Sequence, residues 1–218
     1  MNGKSGLITA LVAGALISLA VIGTSIVRAQ HPTRLAHNYR LSVDIKVDGK
    51  PHMASQTYAY DCGQTFHAPQ GSLVANAPCE LYGRAIRVDL GSRGSLFVLM
   101  TGWNEDRSGF SGANSMVRRL LFVGQHGAMV PITAMPVMVR FQNPTDPDSV
   151  QIVDPAHLGS GVQLESMTID FNNGIETPSD IDQALPWLTS FKGGELSAKR
   201  GNLAHRLHGF DFEWPPTQ

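Results

Sequence analysis

Cys62 and Cys79 bracket the stretch "DCGQTFHAPQGSLVANAPCE" and are the only two cysteines in a chain of 218 residues. Thiols serve as metal ligands, nucleophiles, redox pairs or cross-links. Zinc sites and thioredoxin-like redox pairs need tight spacing such as C-x-x-C, and the sequence has none. A nucleophilic thiol would need a basic neighbour to lower its pKa, a role open to His67. The residues between the cysteines are mostly Gly, Pro, Ser, Asn and Ala, the composition of a loop. A bond closing a loop of this size stabilises a fold by about 3 kcal/mol in the chain-entropy model. In an oxidising compartment the expectation is therefore a Cys62–Cys79 disulfide.

Three other groups of residues invite chemistry. "GFSGA", Gly109 to Ala113, approaches the nucleophile-elbow pattern. With Ser111 as nucleophile, Asp146 or Asp154 as orienter and His157 or His205 as base, the order would be Ser, Asp, His. An elbow needs a strand running straight into its serine, and here the polar stretch "GWNEDRS" intervenes, so a Gly/Ser loop capping a helix is the plainer reading. Among the eight histidines only His205 and His208, in "HRLH", lie close, at a spacing that would share a helix face. Zinc wants a third protein ligand and none stands nearby, while His67, His126 and His157 fall in loop-like sequence; no metal site is expected. Asp146, Asp148 and Asp154 lack the spacing and closing Glu of an EF-hand and read as turn formers beside proline. No cofactor is expected. Trp103, in a polar loop, is the candidate partner surface; Trp187, inside "LPWL", is assigned to packing.

The compartment follows from the first thirty residues. Leu7 to Val27 contains no charged residue and would span roughly 30 Å as a helix, about one bilayer core. As a signal peptide it offers Lys4 in front and a cleavage motif at Val27-Arg28-Ala29; as an uncleaved anchor it has the better length. Both readings put the rest of the chain outside the cytoplasm. In the anchor, Gly14, Ser18 and Gly23 would line one strip of the helix and allow close approach of a partner's membrane helix. The net charge of −1 argues against nucleic acid as a partner.

The remainder reads as strands and turns. In "YRLSVDIKV", Tyr39, Leu41, Val43, Ile45 and Val47 alternate with polar residues, and Asp48-Gly49 is a favoured hairpin turn before "HMASQTYAY". "AIRVDL" and "SLFVLM" predict a second hairpin whose continuous apolar return strand is central. "MPVMVRF" and "VQIVD" are strands; "VQLESMTIDF" is one as well, although its apolar residues form no clean face. Met116, Val117, Leu120 and Leu121 predict a helix over Ala113 to Phe122. A second short helix starts at Thr177-Pro178 and is limited by Pro186. In "HGFDFEW", Phe210, Phe212 and Trp214 alternate with Asp211 and Glu213, predicting a closing strand. The fold class is thus α+β: residues 1–30 are an N-terminal transmembrane helix or signal peptide, and residues 31–218 one β-rich domain of mostly antiparallel hairpins with one or two short helices.

Taken in order, "YRLSVDIKVDGK", "GRAIRVDLGSRGSLFVLM", "MPVMVRFQNPTDPDSVQIVDPAHLGSGVQLESMTIDF", "DQALPWL" and "GGELSAKRGNLAHRLHGFDF" resemble a family of small exported or membrane-anchored bacterial proteins of unknown function. Its most specific parts are Arg140-Phe141 with Asp146-Pro147, Val153-Asp154-Pro155 and the "LPWL" segment. The resemblance implies no activity, cofactor or catalytic residue, and the chain departs from it around the cysteine pair. The functional expectation is a non-catalytic, membrane-anchored periplasmic domain serving as an accessory or interaction subunit of an envelope complex. The alternative is a small secreted serine hydrolase using Ser111.

Overall fold

The computed structural model describes residues 35–62, 79–104, 108–112, 128–171, 179–190 and 194–214. The leader with Gly14, Ser18 and Gly23, the loop holding His67, His126, the helix expected over Ala113 to Phe122 and the Thr177-Pro178 helix start lie outside the described residues. The strands are β1 (Leu35–Val47), β2 (Lys50–Cys62), β3 (Cys79–Arg84), β4 (Ile86–Asp89), β5 (Ser95–Trp103), β6 (Phe110–Ser111), β7 (Ala128–Met129), β8 (Pro136–Phe141), β9 (Val150–Val153), β10 (Val162–Asp170) and β11 (Glu213–Trp214). Among the described residues one helical turn, α1 (Ile181–Ala184), accompanies several 3-10 turns. They build two sheets, one of six strands in the order β11-β3-β2-β1-β10-β7, the other β4-β5-β8-β9 with β6 beside β5. A β-rich domain of antiparallel sheets with few helices is therefore what the sequence makes.

The alternation read in β1 holds: Tyr39, Leu41, Val43, Ile45 and Val47 are all buried and form one wall of the core between the sheets. Asp48 at φ +50° and Gly49 at φ +80° make the left-handed turn that a right-twisted hairpin needs. β10 explains why its sequence shows no clean face. Asp44 pairs with Ser166 and Ile45 with Leu164, so Glu165 is an extra residue, a bulge. Val162 and Leu164 before it, and Met167 and Ile169 after it, then turn to the same core.

The continuous apolar run in β5 has a different cause. Leu96, Val98 and Met100 face the first sheet, whereas Phe97 and Leu99 face an outer layer made from the C-terminal segment. Met138 and its neighbours Val137 and Val139 in β8 divide in the same way. The central strands β5 and β8 are buried on both faces, the condition under which strands lose alternation. Ile181, Leu185, Leu188, Leu207 and Phe212 supply most of the outer layer. Trp187 packs there as expected, its ring 5.6 Å from Phe141 and 5.7 Å from Phe212, with Nε1–H donating to the Pro144 carbonyl at 2.9 Å.

A single residue carries the chain from one sheet to the other. Ala85 is fully buried between β3 and β4, and its N–H donates to the Phe212 carbonyl at 2.7 Å. Just before it, Gly83 adopts φ +149° with the Tyr58 ring so close that a Cβ would lie 2.6 Å from it, leaving no room for a side chain. Arg84 then fastens the outer layer: Nε and Nη2 donate to Glu213 Oε1 at 3.0 and 2.6 Å, and Nη1 to Asp182 Oδ2 at 2.7 Å.

The C-terminal expectation is corrected. "HGFDFEW" is not one strand: Gly209–Asp211 form a 3-10 turn and only Glu213–Trp214 pair, with β3. Asp211, Phe212 and Glu213 are all buried while Phe210 is partly exposed, so burial does not alternate here. The Asp211 carboxylate accepts from the His208 N–H at 2.8 Å, a local bond that a strand would forgo. Nor do His205 and His208 share a helix face; His205 belongs to the 3-10 turn Ala204–Arg206, and His208 is extended.

Candidate functional site

Among the described residues the first sheet ends at β7, whose Ala128 and Met129 pair with Ile169 and Thr168 of β10. Beyond it, the space that a longer strand would fill is an open groove of about 700 Å³. Met129, Val130, Pro131, Ile132 and Met135 form one side, Pro155 to Gly159 another, and Val162 to Met167 of β10 the third. Pro131 and the 3-10 turn Ile132–Ala134 explain the early end of β7: a proline has no N–H for the ladder, and the turn leads the chain away to β8. Val130, Met135, Leu158, Val162 and Met167 belong to the core between the sheets, so the groove is a place where that core reaches the surface.

Its rim is unusually apolar. Met129 is 66% exposed and Ile132 50%, side chains that cost free energy in water. Polar groups are few: His157 Nδ1 lies 3.1 Å from Asp154 Oδ2 in an exposed turn, and Glu165 accepts from Lys46 Nζ at 2.7 Å. Behind the Pro155 to Gly159 wall sits Arg140, whose pKa is lowered by burial and then by the nearby Arg93 charge. The groove is equipped for apolar contact.

The residues singled out in the sequence lie elsewhere or at its margin. Ser111 sits in β6, its Oγ buried with no hydrogen-bond partner among the described residues. No hydrogen bond joins it to Asp146, Asp154, His157 or His205 among the described residues. Asp146 caps a 3-10 turn by accepting from the Asp148 N–H at 2.9 Å. His205 Nδ1 lies 2.9 Å from Glu195 Oε2 and 3.1 Å from the Ser197 carbonyl. Among the described residues no group of three His, Cys, Asp or Glu could hold a metal ion. Trp103 is half-buried at the end of β5, 5.4 Å from the Phe110 ring, over which the Arg206 guanidinium lies at 5.0 Å. Cys62 and Cys79 stand directly opposite each other in the β2–β3 ladder.

Two carboxylates are strongly shifted, in opposite directions. Asp148 is held down to about 2 by its hydrogen bond from Lys199, with Ser197 and Asn202 adding to it. Asp211 is pushed up to about 6 by burial, which outweighs the backbone bond from His208. Both tie the C-terminal segment in place, away from the groove.

Sequence reading missed Met129, Ile132, Leu158 and Leu164 as a surface. The available signal was "GAMVPITAM", an apolar run broken by a proline with no partner strand in view. No family model, curated protein or solved structure matches this chain.

Proposed function

We propose that this chain is a membrane-tethered, extracytoplasmic interaction domain, an accessory subunit of a bacterial envelope complex that holds a partner protein through the groove beside β10. The observation that carries the reading is the groove itself: core residues reach the surface there, under a rim on which Met129 and Ile132 are largely exposed. Contiguous exposed apolar patches mark interaction sites on soluble domains. The uncharged stretch Leu7 to Val27, long enough to span a bilayer, supports inner-membrane attachment with the domain in the periplasm; a cleaved leader would leave it soluble in that compartment. The resemblance to exported or membrane-anchored bacterial proteins points the same way.

Co-purification from gently solubilised membranes tests this. A protein retained by the natural chain and lost by Ile132→Asp is the expected result; identical retention by both would remove the groove from the proposal. Ile132 is half exposed, so the substitution leaves the core intact.

The Cys62–Cys79 disulfide belongs to the same proposal, because it requires an oxidising compartment. Its support is the ladder register that sets the two residues face to face, where neighbouring Cα atoms lie about 4.5–5.5 Å apart, within disulfide range. Mass spectrometry of the alkylated, non-reduced protein is expected to find no free thiol. Two alkylated cysteines would contradict both the bond and the compartment.

A further inference from the structure

We propose that Arg140 and Arg93 form a site for a small carboxylate ligand at the margin of the core between the two sheets. Side chains alternate along β8, so Arg140 turns to the side on which Met138 joins that core. Its Nε and Nη2 are buried and, among the described residues, neither donates to a partner. These are the two parallel N–H groups on one edge of the guanidinium, the pair that grips both oxygens of a carboxylate at once. Arginine stays charged even when buried, so donors left unmade there cost more than those of a neutral group.

The balance of charge gives the valence of the ligand. Arg93 donates through Nη2 to Asp48 Oδ1 and Oδ2 at 2.7 and 3.0 Å, and through Nη1 to the Ser160 carbonyl. Asp48 therefore answers one of the two cations, and Arg140 is left with a like charge beside it. Burial and then the Arg93 charge lower its pKa, the reverse of what a paired carboxylate would do. Asp154 and Glu165, on either side of the loop between β9 and β10, pair with His157 and Lys46. One monoanion with two oxygens in a plane completes the set. Residues 154–161, which link β9 to β10, lie against the guanidinium: a Cβ on Gly159 would stand 3.5 Å from Nη1. A ligand reaches Nε and Nη2 by displacing this loop, and enclosure beneath it strengthens the bonds then formed.

The test titrates sodium acetate into the full-length chain in lipid nanodiscs, with ionic strength matched by sodium chloride, and reads the arginine Nε–H resonances by NMR. Acetate is expected to shift the Arg140 and Arg93 signals saturably, where chloride does not. Arg140→Lys keeps the charge but not the paired donors and should weaken binding about tenfold, read at Arg93. Asp48→Asn suits the same left-handed turn and removes the competing negative charge, so acetate should bind about threefold or more tighter. In chloride, Arg140→Met should unfold at no lower a temperature than the natural chain, since it removes an unpaired buried charge. Acetate should raise the unfolding midpoint of the natural chain and leave that of Arg140→Met unchanged. No saturable response to acetate would overturn the site. So would undiminished binding by Arg140→Lys, weaker binding by Asp48→Asn, or an Arg140→Met midpoint several degrees lower in chloride. Dimethyl phosphate binding about tenfold tighter than acetate would overturn the choice of a carboxylate.

Discussion

Arg84→Met should lower folding stability by about 3–5 kcal/mol, the cost of breaking a largely buried ion pair by removing one partner. Arg84 and Glu213 are direct cross-strand partners of β3 and β11, and the Glu213 side chain is only 7% exposed. Both nitrogens on one edge of the guanidinium, Nε and Nη2, reach the same carboxylate oxygen, while Nη1 holds Asp182 on α1. Removing the cation takes both of these charge-assisted hydrogen bonds from a carboxylate that is largely shielded from water. The same change also frees α1 from β3. A domain stabilised by about 5–15 kcal/mol would lose a large share of that margin. Pairing Arg84→Met with Glu213→Gln should recover much of the loss, since the pair as a whole contributes far less than breaking it costs. Urea midpoints of the two single variants and the double variant decide it. A single-variant loss below about 0.5 kcal/mol would mean that the pair behaves as a surface ion pair.

Asp211→Asn should flatten the stability profile between about pH 4 and 6. Burial raises the folded-state pKa of Asp211 from 3.8 to about 6, so in that window the folded chain binds the proton that the unfolded chain has lost. Its contribution is fully present below the unfolded value and is lost as pH rises through about 6. At 1.36 kcal/mol per pKa unit the change is about 3 kcal/mol. Asparagine keeps an oxygen to accept the His208 N–H and has no proton to lose, so it should be the more stable variant at neutral pH. Asp148 works with the opposite sign, losing its contribution as pH falls from its ordinary value to about 2, and so leaves the window clear. Parallel profiles for the natural chain and Asp211→Asn would sink this assignment.

What was legible in the sequence was whatever depended on one strand or one turn. β1 buries one face and shows it; Asp48-Gly49 adopts the left-handed turn that both residue types tolerate. β5 gave away its central place through unbroken apolarity, but not the reason, which is a third layer built from residues about ninety positions later in the chain. β10 was blurred because the Glu165 bulge moves its apolar set by one position. The C-terminal segment misled because its phenylalanines alternate while burial there follows hydrogen bonds to Asp211 and Glu213. The groove was the least legible feature. It exists because β7 stops short, and a strand's length relative to its neighbour is settled by where Pro131 turns the chain, not by the composition of either strand.

The order of strands in the first sheet has a kinetic consequence. β1 forms its hairpin with β2 through a local turn, but its other neighbour is β10, more than a hundred residues away in the chain. Closing a loop of that length is entropically slow to be rewarded, and folds dominated by such pairings assemble in milliseconds to seconds rather than microseconds. Until β10 arrives, the face carrying Tyr39, Leu41, Val43, Ile45 and Val47 has lost its neighbour along the sheet, and the bare edge of β1 can pair with any other chain in reach. Refolding at high chain concentration is therefore expected to divert molecules into aggregates before β10 docks on β1.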